Sequence, residues 1–218
     1  MKIAALELLT DDIDKTTSFY NKELGLKVLE RDKSSISFAA GSTKLTFRFS
    51  EKENPVYHFA FDIPHNKLHE AFNWIENKVE ILEVVPPSKI ADFSNWDAES
   101  FYFFDDNGNI LEFIARYCLD NKSEEPFSGS SIVSVSEIGF VSNDVSQLCD
   151  ELILKYDIPV FSKQPKLDKF IVMGTDTGLF VLAGNDRNWY PTKKKCEPFW
   201  TKVFFENKGK IREFEFSN

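Results

Sequence analysis

Apolar residues along this chain switch repeatedly between a period of two and a period near three and a half. Leu6-Glu-Leu-Leu9 reads as a short strand and Asp12 as the N-cap of a helix over residues 13–24. Alternating strands follow over 26–30, 35–39 and 44–49. The order recurs from His58: a strand over 58–63, a helix over about 65–77, then strands over 79–84, 100–104 and 109–117. Leu68, Phe72, Ile75 and Val79 give that helix one apolar face to lay on a sheet. A third, fainter copy has a strand over 136–141, and Asp144 caps a helix with Gln147 reaching back in a capping box. Leu148, Leu152 and Ile153 form its stripe, and strands over 169–173 and 179–182 follow. Residues 199–216 are too few for a fourth copy and read as a hairpin around Asn207-Lys-Gly-Lys210.

The repetition predicts an α+β fold in which βαβββ units form a curled mixed-sheet cup with helices outside. Residues 1–117 form a complete paired module with the main pocket. Residues 118–131 are a polar linker, and 132–218 hold the third unit plus the hairpin, a truncated second module.

Composition narrows the partners. The chain has 218 residues, enough to bury a real core, and its 22 Phe suit broad packed surfaces or an apolar pocket. A net charge of −9 argues against nonspecific nucleic-acid binding. No apolar run is long enough to span a membrane. Cys118, Cys149 and Cys196 have no paired spacing, which fits a reducing compartment, and the start reads as a mature cytoplasmic strand.

Candidate chemistry sits on the second unit. Ser100-Phe-Tyr-Phe-Phe-Asp-Asp-Asn-Gly-Asn-Ile-Leu-Glu-Phe113 is two strands around a polar turn, and Glu112 is the one carboxylate of the second strand. Asp105, Asp106, Asn107 and Gly108 lack a calcium loop's ligand spacing, so they are assigned to turning the chain. That stretch resembles the S-x-Y-F-x-D-P-D-G-N-x-x-E-F signature of the vicinal oxygen chelate superfamily, with Asp106 where proline is usual. Asp12-Ile-Asp-Lys-Thr-Thr-Ser-Phe-Tyr20 and Leu24-Gly-Leu26 resemble its first-helix signature. The superfamily includes glyoxalase I, extradiol dioxygenases, fosfomycin-resistance proteins and bleomycin-binding proteins.

The resemblance implies metal ligands on the first and last strands of the units. Those positions hold Ala5, His58 and Glu137 on first strands, and Thr46, Glu112 and Val181 or Leu182 on last strands. His58 and Glu112 are therefore the expected ligands of a divalent metal (Zn, Ni, Mn or Fe), a set short of the three that catalytic zinc usually has. Glu137, lacking an acidic or histidine partner in its own unit, is read as structural. Glu7 shares a face with Ala5 and is the expected proton-transfer base. Arg48 is expected to hold a substrate anion, and Trp96 and Tyr102 to contact substrate. Arg187 and Trp189 are read as a structural anchor with pocket cover as the alternative. The leading expectation is a small-molecule-binding protein, and if an enzyme, a metal-dependent lyase, isomerase or ring-cleaving dioxygenase. A metal-free binding or sequestration protein and a structural or dimerisation protein are the alternatives, with a homodimer compatible with each.

Overall fold

The two curled sheets divide the repeats in an order the sequence does not announce. A computed structural model describes residues 1–51 and 53–217. The first unit is β1 (Lys2–Thr10), α1 (Ile13–Thr17), β2 (Lys27–Arg31), β3 (Ser35–Ala40) and β4 (Thr43–Phe49). The second is β5 (His58–Ile63), α2 (Leu68–Ile75), β6 (Ala91–Phe93), β7 (Ala98–Phe104) and β8 (Ile110–Arg116). The third is β9 (Ser134–Ser142), α3 (Val145–Tyr156), β10 (Phe170–Thr175) and β11 (Gly178–Gly184), and a hairpin of β12 (Thr201–Asn207) and β13 (Lys210–Phe216) follows it.

One sheet runs β13-β12-β1-β4-β3-β2 and the other β10-β11-β9-β5-β8-β7-β6. The first unit thus joins the hairpin, and the second joins the third, instead of the first and second sharing one module. The reason lies in the first strands. β1 needs a neighbour on the side away from β4 and takes β12 antiparallel, while β5, parallel to β8, takes β9 on its other side. Each junction removes an open strand edge, and any unit's first strand could satisfy that need.

Local signals hold more closely. Asp12 and Asp144 accept from the backbone N–H of Lys15 and Gln147 at 2.9 and 2.8 Å, capping α1 and α3. The Gln147 side chain donates forward to Glu151 instead of back to the cap, so there is no capping box. After Thr17 the first helix widens to a π-turn, Leu24 N–H donating to the Phe19 carbonyl at 3.0 Å. The expected strand over 79–84 is reduced to one bridge, Ile81 with Phe103, and β6 takes its place at the sheet edge. Pro86 and Pro87, with no N–H to give, end any ladder there. The final turn has Lys208 and Gly209 at φ 52° and 71°, both left-handed, as a two-residue hairpin requires.

Both sheets share one apolar core. Leu6 and Phe47 from the first, Phe61, Phe113 and Phe180 from the second, and Tyr20, Leu68, Leu148 and Leu152 from the helical segments belong to a single buried cluster. The opposite face of the second sheet holds the site. Among the described residues, no helix is long and apolar enough to cross a membrane.

Candidate metal and ligand site

Strand alternation places the site. On β5, His58, Ala60 and Asp62 share a face, and on β8, Ile110, Glu112, Ile114 and Arg116 do. Ala60 stands opposite Glu112 on β8 and opposite Glu137 on β9, so the second and third units contribute to one floor. Ligand atoms of His58, Glu112 and Glu137, all three residues buried, lie within 4.8 Å of one another. The pairing of Ala60 with Glu112 is repeated in the third unit by Gly139 with Val181, each pair two residues beyond His58 and Glu137 respectively. Val181 is therefore the fourth slot, and it is apolar.

The imidazole is set in one tautomer. His58 Nδ1 lies 3.1 Å from the Ile110 carbonyl, which can only accept, so Nδ1 carries the proton and Nε2 is left with its lone pair. Nε2 is 3.6 Å from Glu112 Oε2, beyond a hydrogen bond, whereas two ligands of a divalent ion with bonds of about 2.0–2.2 Å sit roughly 3–3.5 Å apart. Burial lowers the His58 pKa, against the pull of Glu137, and keeps the ring neutral.

The charge on this floor is unbalanced. Glu112, Glu137 and Asp62 are buried carboxylates facing one cation, the wholly buried Arg116. Arg116 donates to Asp62 at 2.8 Å, to Ser136 Oγ at 3.1 Å, and to Glu137. Burial alone would lower its pKa, but Glu137 and Asp62 outweigh that and keep it charged. Burial pushes the Glu112 carboxyl up, opposed by the Ser100 and Tyr102 hydroxyls and Arg116. Burial raises Glu137 too, and the neighbouring Glu112 charge adds to it. With all three acids ionised the floor carries two uncompensated negative charges, a state that burial makes costly. Two protons or one divalent cation remove the excess.

Above the floor is a cavity of about 260 Å³ walled by Phe93, Trp96, Tyr102, Phe170, Trp189 and Tyr190, with Val181 and Ala183 of β11. The Trp189 ring centroid lies 5.4 Å from that of His58, and Tyr102 stands 6.1 Å from it. Trp189 can sit so deep because residue 139 is glycine: a Cβ there would meet its Cη2 at 2.4 Å. Trp96 Nε1 donates to Gln164 at 3.2 Å, fixing one wall.

The predicted residues separate into two groups. His58, Glu112, Trp96 and Tyr102 meet at this cavity. Glu7 and Arg48 lie on the first sheet, where Arg48 Nε binds Glu7 at 2.6 Å, and neither reaches the cavity. Their distance follows from the unit pairing, since β1 and β4 belong with the hairpin. Glu137, expected to be structural, joins His58 and Glu112 instead, and Arg116 holds it from behind. Phe93, Gln164 and Phe170 carry no sequence signal for the site. Arg187 and Trp189 line the cavity, so the pocket cover weighed for them as an alternative is where they stand.

Comparison with known proteins places this arrangement. Residues 2–113 match the model of the Glyoxalase/Bleomycin resistance protein/Dioxygenase superfamily. No curated protein matches the chain in sequence. Among solved structures, a candidate dioxygenase from Bacillus subtilis is similar with a TM-score of 0.62 at 16% identity, covering 84% of this chain and 63% of its own. Glyoxalase I from Zea mays has a TM-score of 0.53 at 15% identity, covering 84% and 66%. This chain thus spans less than two thirds of either, and at such identities the likeness concerns fold alone. With half the chain matched, paired βαβββ units and a buried His and Glu on their expected strands, the chain belongs to the Glyoxalase/Bleomycin resistance protein/Dioxygenase superfamily.

Proposed function

We propose that the chain binds a small molecule in the aromatic cavity and holds a divalent cation on His58, Glu112 and Glu137. The observation that carries this reading is the gathering of three buried carboxyl groups around a single buried cation, Arg116, beside an imidazole whose Nε2 is free. When bound, the ion supplies Lewis acidity toward an oxygen of the ligand. His58, Glu112 and Glu137 would hold the ion, and Val181 in the fourth slot offers no donor, which gives the three protein donors usual in catalytic sites. Ile110 fixes the tautomer of His58, Arg116 fixes the carboxylate of Glu137, and the aromatic walls exclude water and orient the ligand. Chemistry of lyase, isomerase or ring-cleaving dioxygenase type is compatible with this donor set.

A metal-free binding protein is the second reading, favoured by Arg116, which already engages Glu137. The two readings part on metal content. Protein purified without chelator is expected to carry close to one equivalent of Mn, Fe, Ni, Co or Zn. Added metal is expected to raise the melting temperature of the wild type but not of His58→Ala or Glu137→Gln, each of which weakens affinity at least 10-fold. Equal metal stabilisation of wild type and both variants would sink the cation site.

A further inference from the structure

The cover of the cavity carries charge opposite to its floor. After β11 the chain makes a tight excursion: Arg187 N–H donates to the Gly184 carbonyl at 3.1 Å, Trp189 N–H to Lys194 at 2.9 Å, and Cys196 N–H to Arg187 at 3.0 Å. Trp189, 4% exposed, anchors this segment over Gly139, and Tyr190 meets Tyr102 edge-on at 5.6 Å. The backbone of Arg187 is thereby pinned at the cavity wall, while its side chain is exposed and lies over the Phe170 ring at 4.9 Å.

Among the described residues, Arg187, Lys193, Lys194 and Lys195 form no ion pair. Asp186, next to Arg187 in sequence, pairs with Lys169 instead. On a chain of net charge −9, Arg187 in the cavity lining is a local reversal of charge that draws anions, whereas the lysines of the same segment stand outside that lining, Lys194 Nζ lying over the Phe104 ring at 5.1 Å. Between cover and floor the wall is apolar and aromatic, with Phe93, Trp96, Phe170 and Trp189 as rings against which a flat ligand can stack. Val181 and Ala183, two residues apart on β11, span about 6.6 Å, and Arg187 lies beyond them.

We infer that the cavity takes a flat apolar organic acid, its carboxylate on the Arg187 guanidinium and its other end toward His58, Glu112 and Glu137. Only the second contact rests on the proposed function; the carboxylate subsite stands on the cover residues. A guanidinium held over an aromatic ring keeps its N–H fork free for bidentate carboxylate recognition, which makes Arg187 a specificity-determining residue.

Quenching of tryptophan fluorescence by naphthalene-2-carboxylate and by naphthalene-2-carboxamide, on protein loaded with Mn²⁺ and on protein in chelator, tests this. The acid is expected to bind the Mn²⁺-loaded protein at least 10-fold tighter than the amide in low salt. The preference should shrink as salt rises and vanish in Arg187→Gln, through loss of acid binding and not through gain of amide binding. Arg212→Gln, an exposed arginine on β13, should keep the preference. Equal affinity for acid and amide, acid binding untouched by Arg187→Gln, or no acid binding at millimolar concentration would overturn the inference. Mn²⁺ titration followed by electron paramagnetic resonance separates the two proposals. Acid binding that depends on Arg187 in a protein that takes up neither Mn²⁺ nor, by elemental analysis, Fe, Ni, Co or Zn removes the cation site and leaves the acid subsite, and metal uptake without Arg187-dependent acid binding removes only the acid subsite.

Discussion

Glu112 and Glu137 stand close enough that the ionisation of one opposes the ionisation of the other, and this gives the cation-free protein a distinct pH dependence. Both carboxyls are raised above the ordinary value of 4.5, toward about 7. A raised carboxyl favours folding while protonated, so the stability it contributes is present below pH 4.5 and is lost as pH rises through about 7. His58, with its pKa lowered, acts in the opposite sense, its contribution being lost as pH falls below 6.5. In chelator, Glu112→Gln is therefore expected to flatten the decline in stability between pH 5 and 8 and to gain on the order of 1–2 kcal/mol at pH 8, since displacing a pKa by one costs about 1.4 kcal/mol. Arg116→Met should lose about 3–5 kcal/mol, because it leaves Asp62 and Glu137 buried without their cation. Denaturant titrations across pH measure both, and an unchanged slope in Glu112→Gln would contradict the coupling. Residue-level legibility followed the same lines. His58 and Glu112 were readable because their slots lie within one unit at fixed distances from recognisable turns. Glu137 occupied a readable slot too, but its membership in the site depends on which units share a sheet, and alternation of apolar residues is silent on that.

At the scale of the element, the turn between β7 and β8 was the most legible feature, and its physical basis is a single carboxylate. Asp105 accepts from the backbone N–H of Asn107 and Asn109 at 2.9 and 2.8 Å, from Asn109 Nδ2 at 2.7 Å and from the Tyr20 hydroxyl at 2.7 Å. Gly108, at φ 84°, supplies the left-handed residue. The turn thus welds the first helix to the strand that carries Glu112. Asp105→Asn keeps one oxygen for the two backbone donors but replaces the one that accepts from the Tyr20 hydroxyl and Asn109 Nδ2 with an amide donor, and should cost about 2–3 kcal/mol. Tyr20→Phe, removing one donor from an acceptor that keeps three, should cost about 1 kcal/mol. Chemical denaturation of the two variants orders them, and a larger loss in Tyr20→Phe would show that the hydroxyl, not the turn, is the anchor. The strand expected over 79–84 failed for a reason equally local. Its apolar residues alternate well enough, yet Pro86 and Pro87 cut the ladder and the edge position passes to Ala91–Phe93. Propensity describes a residue's fitness for a sheet, whereas edge pairing is settled by what the neighbouring strand leaves open.

For the whole molecule, the pairing of units decides how it holds together. The hairpin stands beside β1, where the strands of a fourth unit would lie. Val203 and Phe205 are wholly buried, the Tyr57 hydroxyl donates to the Trp200 carbonyl at 2.7 Å, and Asn207 Nδ2 donates to the Tyr156 and Asp157 carbonyls that end α3. Phe205 meets Phe180 of β11 at 5.2 Å between ring centroids, so the hairpin touches the sheet that carries the cavity. Two modules divided at residues 118–131 would melt separately. A single core reaching from Phe205 to Phe113 predicts instead that both sheets unfold together, as one cooperative unit. Phe205→Ala should then cost about 3–5 kcal/mol and destabilise the cavity as much as the hairpin, whereas Ile211→Ser, at an exposed position on β13, should change stability by less than about 0.5 kcal/mol. Far-ultraviolet circular dichroism followed against bound naphthalene-2-carboxylate, or against near-ultraviolet signals of Trp96 and Trp189, should give coincident transitions in wild type and in Phe205→Ala. Separated transitions, with the cavity outlasting the hairpin, would mean that the second and third units fold without the first.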